Sequence, residues 1–211
     1  LGVDGLRLGE RHAVALVERP DDLAAQLEVR RLVLADGHER RVRLEHFFRS
    51  YHDYGEHQAG YCVAAGLGPF VRWTLQTRPT DADVEALRGH IGRSGSRLFD
   101  DDFCAWFAGA DFASLNLSAV PEGRVVHPNT PITVVEGPLA TAQLLETALL
   151  NRLNFATLIA TKAARMAEAS EGRPVLEFGM RRGPGEGADS GSRAALIGGA
   201  DFTSNAAVGY A

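Results

Sequence analysis

Cysteine is nearly missing from this chain of 211 residues, with Cys62 and Cys104 the only two. Such a pair reads as two small buried hydrophobes before it reads as a bridge or a metal site. Long apolar runs are missing as well. None approaches the roughly 20 residues of a membrane span, and the first residues carry no signal-peptide apolar stretch, so a cytoplasmic protein without a membrane segment is expected. An excess of basic charge is also lacking, because 22 Lys and Arg stand against 27 Asp and Glu for a net charge of −5. A general nucleic-acid or membrane-surface binder needs the opposite balance, whereas an anionic small ligand needs only a local basic cluster. Metal-ligand spacing is absent too: His46, His52 and His57 share one stretch, but without a helical His-x-x-x-His pair or a nearby Cys pair, and no metal ligand is assigned.

What is present is ordinary globular material, 45% hydrophobic and 23% charged, enough for one large domain or two small ones. Residues 1 to 45 are rich in Arg, Glu and Asp; the runs Ala13–Val17 and Leu32–Leu34 read as strands flanking a helix near Asp21 to Val29. Tyr61 to Ala65 reads as a strand and Leu67 to Gln76 as a helix, with Leu67, Phe70, Val71 and Leu75 on one face. Thr80 with Asp81 and Asp83 predicts an N-cap and an acidic first turn for a helix reaching Gly89. Phe99, Phe103, Trp106 and Phe107 recur at helical spacing and predict a packing face, with Asp100-Asp101-Asp102 as its acidic start. Val120 to Pro138 predicts a hairpin-rich β unit: a turn at Pro121-Glu122-Gly123, a strand at Arg124–Val126 and a return strand at Ile132–Val135. Two helices are expected next, Leu139 to Asn154 and about Thr157 to Ala169, closed by Gly172 and Pro174. Val175 to Phe178 then reads as a buried-type strand.

Glu177 to Gly187 is the segment with the clearest chemistry, a strand running into Arg181-Arg182 and a glycine-rich loop. Each Arg can fork onto a carboxylate or phosphate through two charge-assisted hydrogen bonds, while Gly183, Gly185 and Gly187 let backbone N–H groups come close. Read from the residues alone, the alternative is a surface Arg pair before a flexible loop. Gly198 to Asn205 is a second strand-to-loop passage, where Thr203, Ser204 and Asn205 offer short polar groups either for a phosphate or for capping a helix. Thr161 and Lys162 lie mid-helix, where a solvated Lys is ordinary.

Leu145-Glu146-Thr147, Asn154-Phe155, Ile159 to Arg165, Phe178-Gly179-Met180-Arg181-Arg182 and Ile197-Gly198-Gly199, in that order, resemble the nicotinate phosphoribosyltransferase family. The resemblance runs back through Val120–Gly123 and Val135–Pro138, and more weakly to Gly60-Tyr61 and Ala64–Leu67. It implies the α/β class and the type II phosphoribosyltransferase architecture: an α+β sandwich domain over residues 1–138, then the first part of an incomplete α/β barrel over residues 139–211. It also implies a homodimer, and a reaction that joins nicotinate to phosphoribosyl pyrophosphate, assisted by ATP and magnesium, for nicotinate mononucleotide and pyrophosphate. Arg181 becomes the first expected substrate-binding residue and Arg182 the second, with Thr203, Ser204 and Asn205 beside them and Thr161 and Lys162 in support. The family's Asp-Leu-Tyr and Thr-Met signature, whose Tyr stacks on the pyridine ring, is not found; Tyr51 and Tyr54 are the nearest aromatics, and this end is expected to be divergent or incomplete. The phosphorylated His of the family's Gly-Thr-x-Ala-His-Ser motif is expected beyond Ala211, so no catalytic residue is assigned and this stretch alone is expected to be inactive. Two other readings stay open: another type II enzyme such as quinolinate phosphoribosyltransferase, and a non-catalytic binding or regulatory relic.

Overall fold

The computed structural model describes residues 6–7, 37–53, 55 and 59–209. The elements expected at Ala13–Val17, Asp21–Val29 and Leu32–Leu34 lie outside the described residues, as do Tyr54 and His57. In chain order come β1 (Leu6–Arg7), β2 (Arg41–His46), β3 (Cys62–Val63), α1 (Leu67–Gln76), α2 (Asp81–Arg88), α3 (Asp101–Ala108) and β4 (Asn116–Ala119). Next are β5 (Val125–Val126), β6 (Thr133–Pro138), α4 (Leu139–Ala169), β7 (Leu176–Glu177), a 3-10 turn (Gly179–Arg181), α5 (Glu186–Ile197), β8 (Phe202–Thr203) and α6 (Ala206–Gly209). By contact the chain forms two compact units, one from Leu1–Glu45, Val71–Ser118 and Val134–Leu149 as far as these are described, the other from His46–Phe70, Ala119–Thr133 and Leu150–Ala211.

The first unit holds a four-stranded sheet ordered β1-β4-β6-β2, in which Leu6 pairs antiparallel with Leu117. Its helices start where the polar residues say they should. Thr80 accepts the Asp83 N–H at 3.2 Å while Asp83 accepts the Thr80 N–H at 2.8 Å, a reciprocal capping box at the head of α2. Asp100 accepts the Phe103 N–H at 2.9 Å and so caps α3, which begins at Asp101 within the expected acidic start. Phe99, Phe103 and Phe107 are fully buried, with stacked rings 5.1 and 6.0 Å apart, against Val84 and Leu87 of α2. Burial of that size, about 1.5–3 kcal/mol for each ring, is what fixes the α2–α3 pair. Trp106 is half-buried beside Phe103.

In the second unit β3 pairs antiparallel with β5, Cys62 opposite Val126. The expected hairpin between Arg124–Val126 and Ile132–Val135 does not form. Val125–Val126 takes Cys62–Val63 as its partner, and the Ile132 carbonyl instead accepts the Val120 N–H at 2.8 Å. The two helices expected between Leu139 and Ala169 are one, of 31 residues, because Asn154-Phe155-Ala156 contains neither Pro nor Gly to stop it. The chain leaves α4 through Glu171 and Gly172, both at positive φ. Despite that length, no helix among the described residues is long and apolar enough to cross a membrane.

Ala156 and Ala160 of α4 pack against Val63, Ala65 and Ala194 of α5. Gly66 belongs to this contact: its φ is +97°, and a Cβ there would stand 2.9 Å from both the Ala156 Cβ and the Arg152 carbonyl oxygen, so only glycine fits. β7 and β8 pair parallel. The strand expected to be of buried type is not: Leu176, Phe178 and Phe202 are each more than half exposed, since a two-stranded sheet cannot cover both of its faces.

Candidate functional site

Parallel pairing of β7 with β8, Leu176 opposite Phe202 and Glu177 opposite Thr203, brings the carboxyl ends of both strands side by side. Beyond β7 the chain turns once through Gly179–Arg181, closed by the Arg182 N–H on the Gly179 carbonyl at 2.8 Å. Beyond β8 it continues through Ser204 and Asn205 into α6. Arg181, Arg182, Thr203, Ser204 and Asn205 are therefore gathered at one end of one small sheet. Arg181, Arg182 and Ser204 are exposed, Thr203 is half-buried and Asn205 is fully buried. Side chains on that edge can meet an anion with charge-assisted hydrogen bonds, the arginines as planar forks and Ser204 as a short donor.

Glu177 binds the two ends together. One carboxylate oxygen accepts the Gly179 N–H, the other accepts the Thr203 hydroxyl at 2.6 Å, and the Glu177 carbonyl accepts the Ser204 N–H at 2.9 Å. Burial works against its charge, but hydrogen bonds led by that from Thr203 outweigh it and hold the carboxyl below its ordinary range. Thr203 Oγ1 in turn accepts the Asn205 N–H at 3.0 Å, and Asn205 Nδ2 donates to Asp189 Oδ1 of α5 at 2.6 Å. The Thr203 hydroxyl and the Asn205 amide nitrogen are thus engaged inside the protein.

The glycine-rich loop differs from expectation. α5 begins at Glu186, and the N–H groups of Gly183 and Gly187 are taken by the carbonyls of Gly179 and Pro184 at 3.1 and 2.8 Å. A Cβ on Gly183 would lie 2.8 Å from the Ala188 Cα, so this glycine permits close chain packing rather than an open cradle. Thr161 is fully buried on α4: its hydroxyl accepts the Val63 N–H at 2.9 Å and donates to the Thr157 carbonyl at 2.6 Å, which ties β3 to the helix. Lys162, next along the same helix, is exposed. Both hydrogen bonds of the Thr161 hydroxyl lead to β3 and to its own helix, not to the ends of β7 and β8.

One pair escaped the sequence reading. Glu122 receives both terminal nitrogens of Arg193 at 2.8 Å, and it also accepts the N–H groups of Gly66 at 2.7 Å and Gly68 at 3.4 Å at the head of α1. Burial opposes the Glu122 charge, but Arg193 together with the Gly66 and Gly68 N–H groups outweighs it, so its carboxyl stays below the usual range. Glu122 lies in the Val120–Gly123 stretch that carries the family resemblance, but nothing in the sequence marks Arg193, 71 positions away, as its partner. Beside the pair is a small cleft lined by Gly66, Pro69, Arg152, Ala156, Ser190 and Arg193. Among the described residues no three His, Cys, Asp or Glu side chains gather as metal ligands. Glu177 and Asp189, the carboxylates bonded to the Thr203–Asn205 loop, already accept protein donors, and neither is assigned to magnesium.

A family profile, the nicotinate phosphoribosyltransferase (NAPRTase) N-terminal domain, matches residues 22–154. Nicotinate phosphoribosyltransferase 2 of Arabidopsis thaliana is 38% identical over 177 residues, 83% of this chain and 30% of its own length. Nicotinate phosphoribosyltransferase of Bacillus subtilis (strain 168) is 39% identical over 173 residues, 82% of this chain and 33% of its own. The crystal structure of human nicotinic acid phosphoribosyltransferase superposes with a TM-score of 0.75 at 31% identity, over 89% of this chain and 36% of that one. Nicotinate-nucleotide pyrophosphorylase from Pyrococcus furiosus, with a TM-score of 0.61 and 24% identity over 92% of this chain and 41% of that one, shares the fold. The chain spans about a third of the length of the curated relatives it matches.

Proposed function

Because the chain belongs to the nicotinate phosphoribosyltransferase family, we propose that it forms part of an enzyme that joins nicotinate to phosphoribosyl pyrophosphate, giving nicotinate mononucleotide and pyrophosphate. The proposal includes assistance by ATP and magnesium, a homodimer in the cytoplasm, and a sandwich domain over residues 1–138 leading into a barrel from residue 139. The observation that carries it is the pairing of an Arg-Arg turn with a Thr-Ser-Asn loop at neighbouring carboxyl ends of parallel strands, where α/β barrels build their sites.

In this reading the pyridine nitrogen lone pair forms the new bond to the anomeric carbon as the bond to the pyrophosphate oxygen breaks, and both electrons leave with pyrophosphate. No proton has to move, so the protein contributes position and charge. Arg181 takes the nicotinate carboxylate or a phosphate in a two-point contact, Arg182 and Ser204 hold the remaining oxygens, and Thr203 and Asn205 shape the loop from beneath. ATP hydrolysis would supply free energy to this coupling; no residue of this chain is assigned to ATP or to magnesium.

The test is product formation by the purified full-length protein. Nicotinate with phosphoribosyl pyrophosphate should yield pyrophosphate and mononucleotide one for one, and neither quinolinate nor nicotinamide should replace nicotinate. No turnover with nicotinate, or preference for quinolinate, would overturn the proposal.

A further inference from the structure

Resting on the reading of Arg181 as a ligand-binding residue, we infer that Glu177 is a positioning residue, whose carboxylate holds the turn that carries Arg181 in register with the Thr203–Asn205 loop. Three hydrogen bonds to one residue span both segments: Gly179 N–H and Thr203 Oγ1–H on the two carboxylate oxygens, and Ser204 N–H on the carbonyl. Gly179 is the first residue of the turn that ends in Arg181. That turn is otherwise closed by two bonds, from the Arg182 and Gly183 N–H groups to the Gly179 carbonyl. One turn of 3-10 helix with such bonds is weak on its own. A Cβ on Gly179 would meet Glu177 Oε1 at 2.6 Å, so the carboxylate sits directly against the turn's backbone.

Contact with the substrate is a poor alternative role for Glu177. Both of its oxygens face protein donors, and a carboxylate offered to an anionic ligand would repel it. Arg181 is exposed and long, so the precision of its placement depends on the turn below it. An unbraced turn spreads the guanidinium over more positions, and binding then has to recover the lost order. That cost falls on substrate affinity more than on the chemical step.

The experiment uses the full-length protein with Glu177→Ala, Glu177→Gln, Thr203→Val, Arg181→Ala and the double variant Glu177→Ala/Arg181→Ala. Nicotinate KM and kcat, calorimetric nicotinate binding and thermal melts are measured for each. Glu177→Ala should raise nicotinate KM on the order of ten-fold, with a smaller change in kcat. Glu177→Gln, which keeps the shape and one acceptor without the charge, should restore most of that loss. The double variant should be no worse than Arg181→Ala alone, because a residue that acts through Arg181 has nothing left to position. If Glu177→Ala fails to fold, Thr203→Val replaces it: it should raise nicotinate KM in the parent and do nothing further in the Arg181→Ala background. Additive losses, a Gln variant as impaired as the Ala variant, or a neutral Glu177→Ala beside a damaged Arg181→Ala would overturn the positioning role alone. A neutral Arg181→Ala would instead remove the ligand-binding reading of Arg181, and the positioning role with it.

Discussion

Among the described residues neither Arg181 nor Arg182 stands in an ion pair, and both are exposed at a turn whose backbone is braced from below. In the full-length protein Arg181→Ala should remove about 2 to 4 kcal/mol of transition-state stabilisation, the scale of losing a charge-assisted contact inside a site. Arg181→Lys should recover little, since an ammonium cannot make the planar two-point contact. Steady-state kinetics of both variants beside a thermal melt check this, and near-normal activity for Arg181→Ala, or a loss accounted for by unfolding, would take Arg181 out of the site. At this scale the chemistry of a side chain was legible but its engagement was not. Thr203, Ser204 and Asn205 read as three equivalent polar groups, yet only Ser204 is exposed, because Glu177 and Asp189, 26 and 16 positions away, take the other two.

Elements were most legible where their signals are local. The capping box at Thr80 needs only residues three apart, and α2 starts where it predicts. Thr80→Ala should therefore cost about 1 kcal/mol, read as a lower urea midpoint with an unchanged slope; a change under a few tenths of a kcal/mol would mean that the cap is not holding the helix. The aromatic spacing of Phe103 and Phe107 foretold a buried face for the same reason, since a helix puts i and i+4 together whatever lies opposite, while Phe99, just ahead of the Asp100 cap, packs against Phe103 from outside the helix. Local signals failed where a choice of partner decides. Val125–Val126 has the composition of a strand, but nothing in it selects Cys62–Val63 over Ile132–Val135. Asn154-Phe155 lies between two periodic stretches and looks like a break from sequence, although without Pro or Gly a helix runs through it.

For the molecule as a whole, His46 couples stability to pH. It is buried, Nε2 bonds Asn154 Oδ1 at 3.0 Å, and Nδ1 has no hydrogen-bond partner among the described residues. Burial lowers its pKa below the ordinary 6.5, against the smaller opposing pull of Asn154. The unfolded chain then binds the proton more readily than the folded one, so this contribution to stability is complete above the unfolded pKa and is lost as pH falls from there through the lower folded pKa. Urea unfolding from about pH 7 to about pH 5 should show that fall, and His46→Gln, which does not titrate, should flatten it. An identical pH dependence in the variant would exclude His46 as the source.

Read alone, the sequence determined what depends on near neighbours: the helix faces, the caps, the acidic balance and the family, whose blocks survive as short words in order. Tertiary structure alone decided which strand pairs with which, which polar groups are already taken, and that Glu122 meets Arg193. Those outcomes follow from contacts between residues far apart in the chain, where many partners are chemically equivalent and only packing in three dimensions selects one.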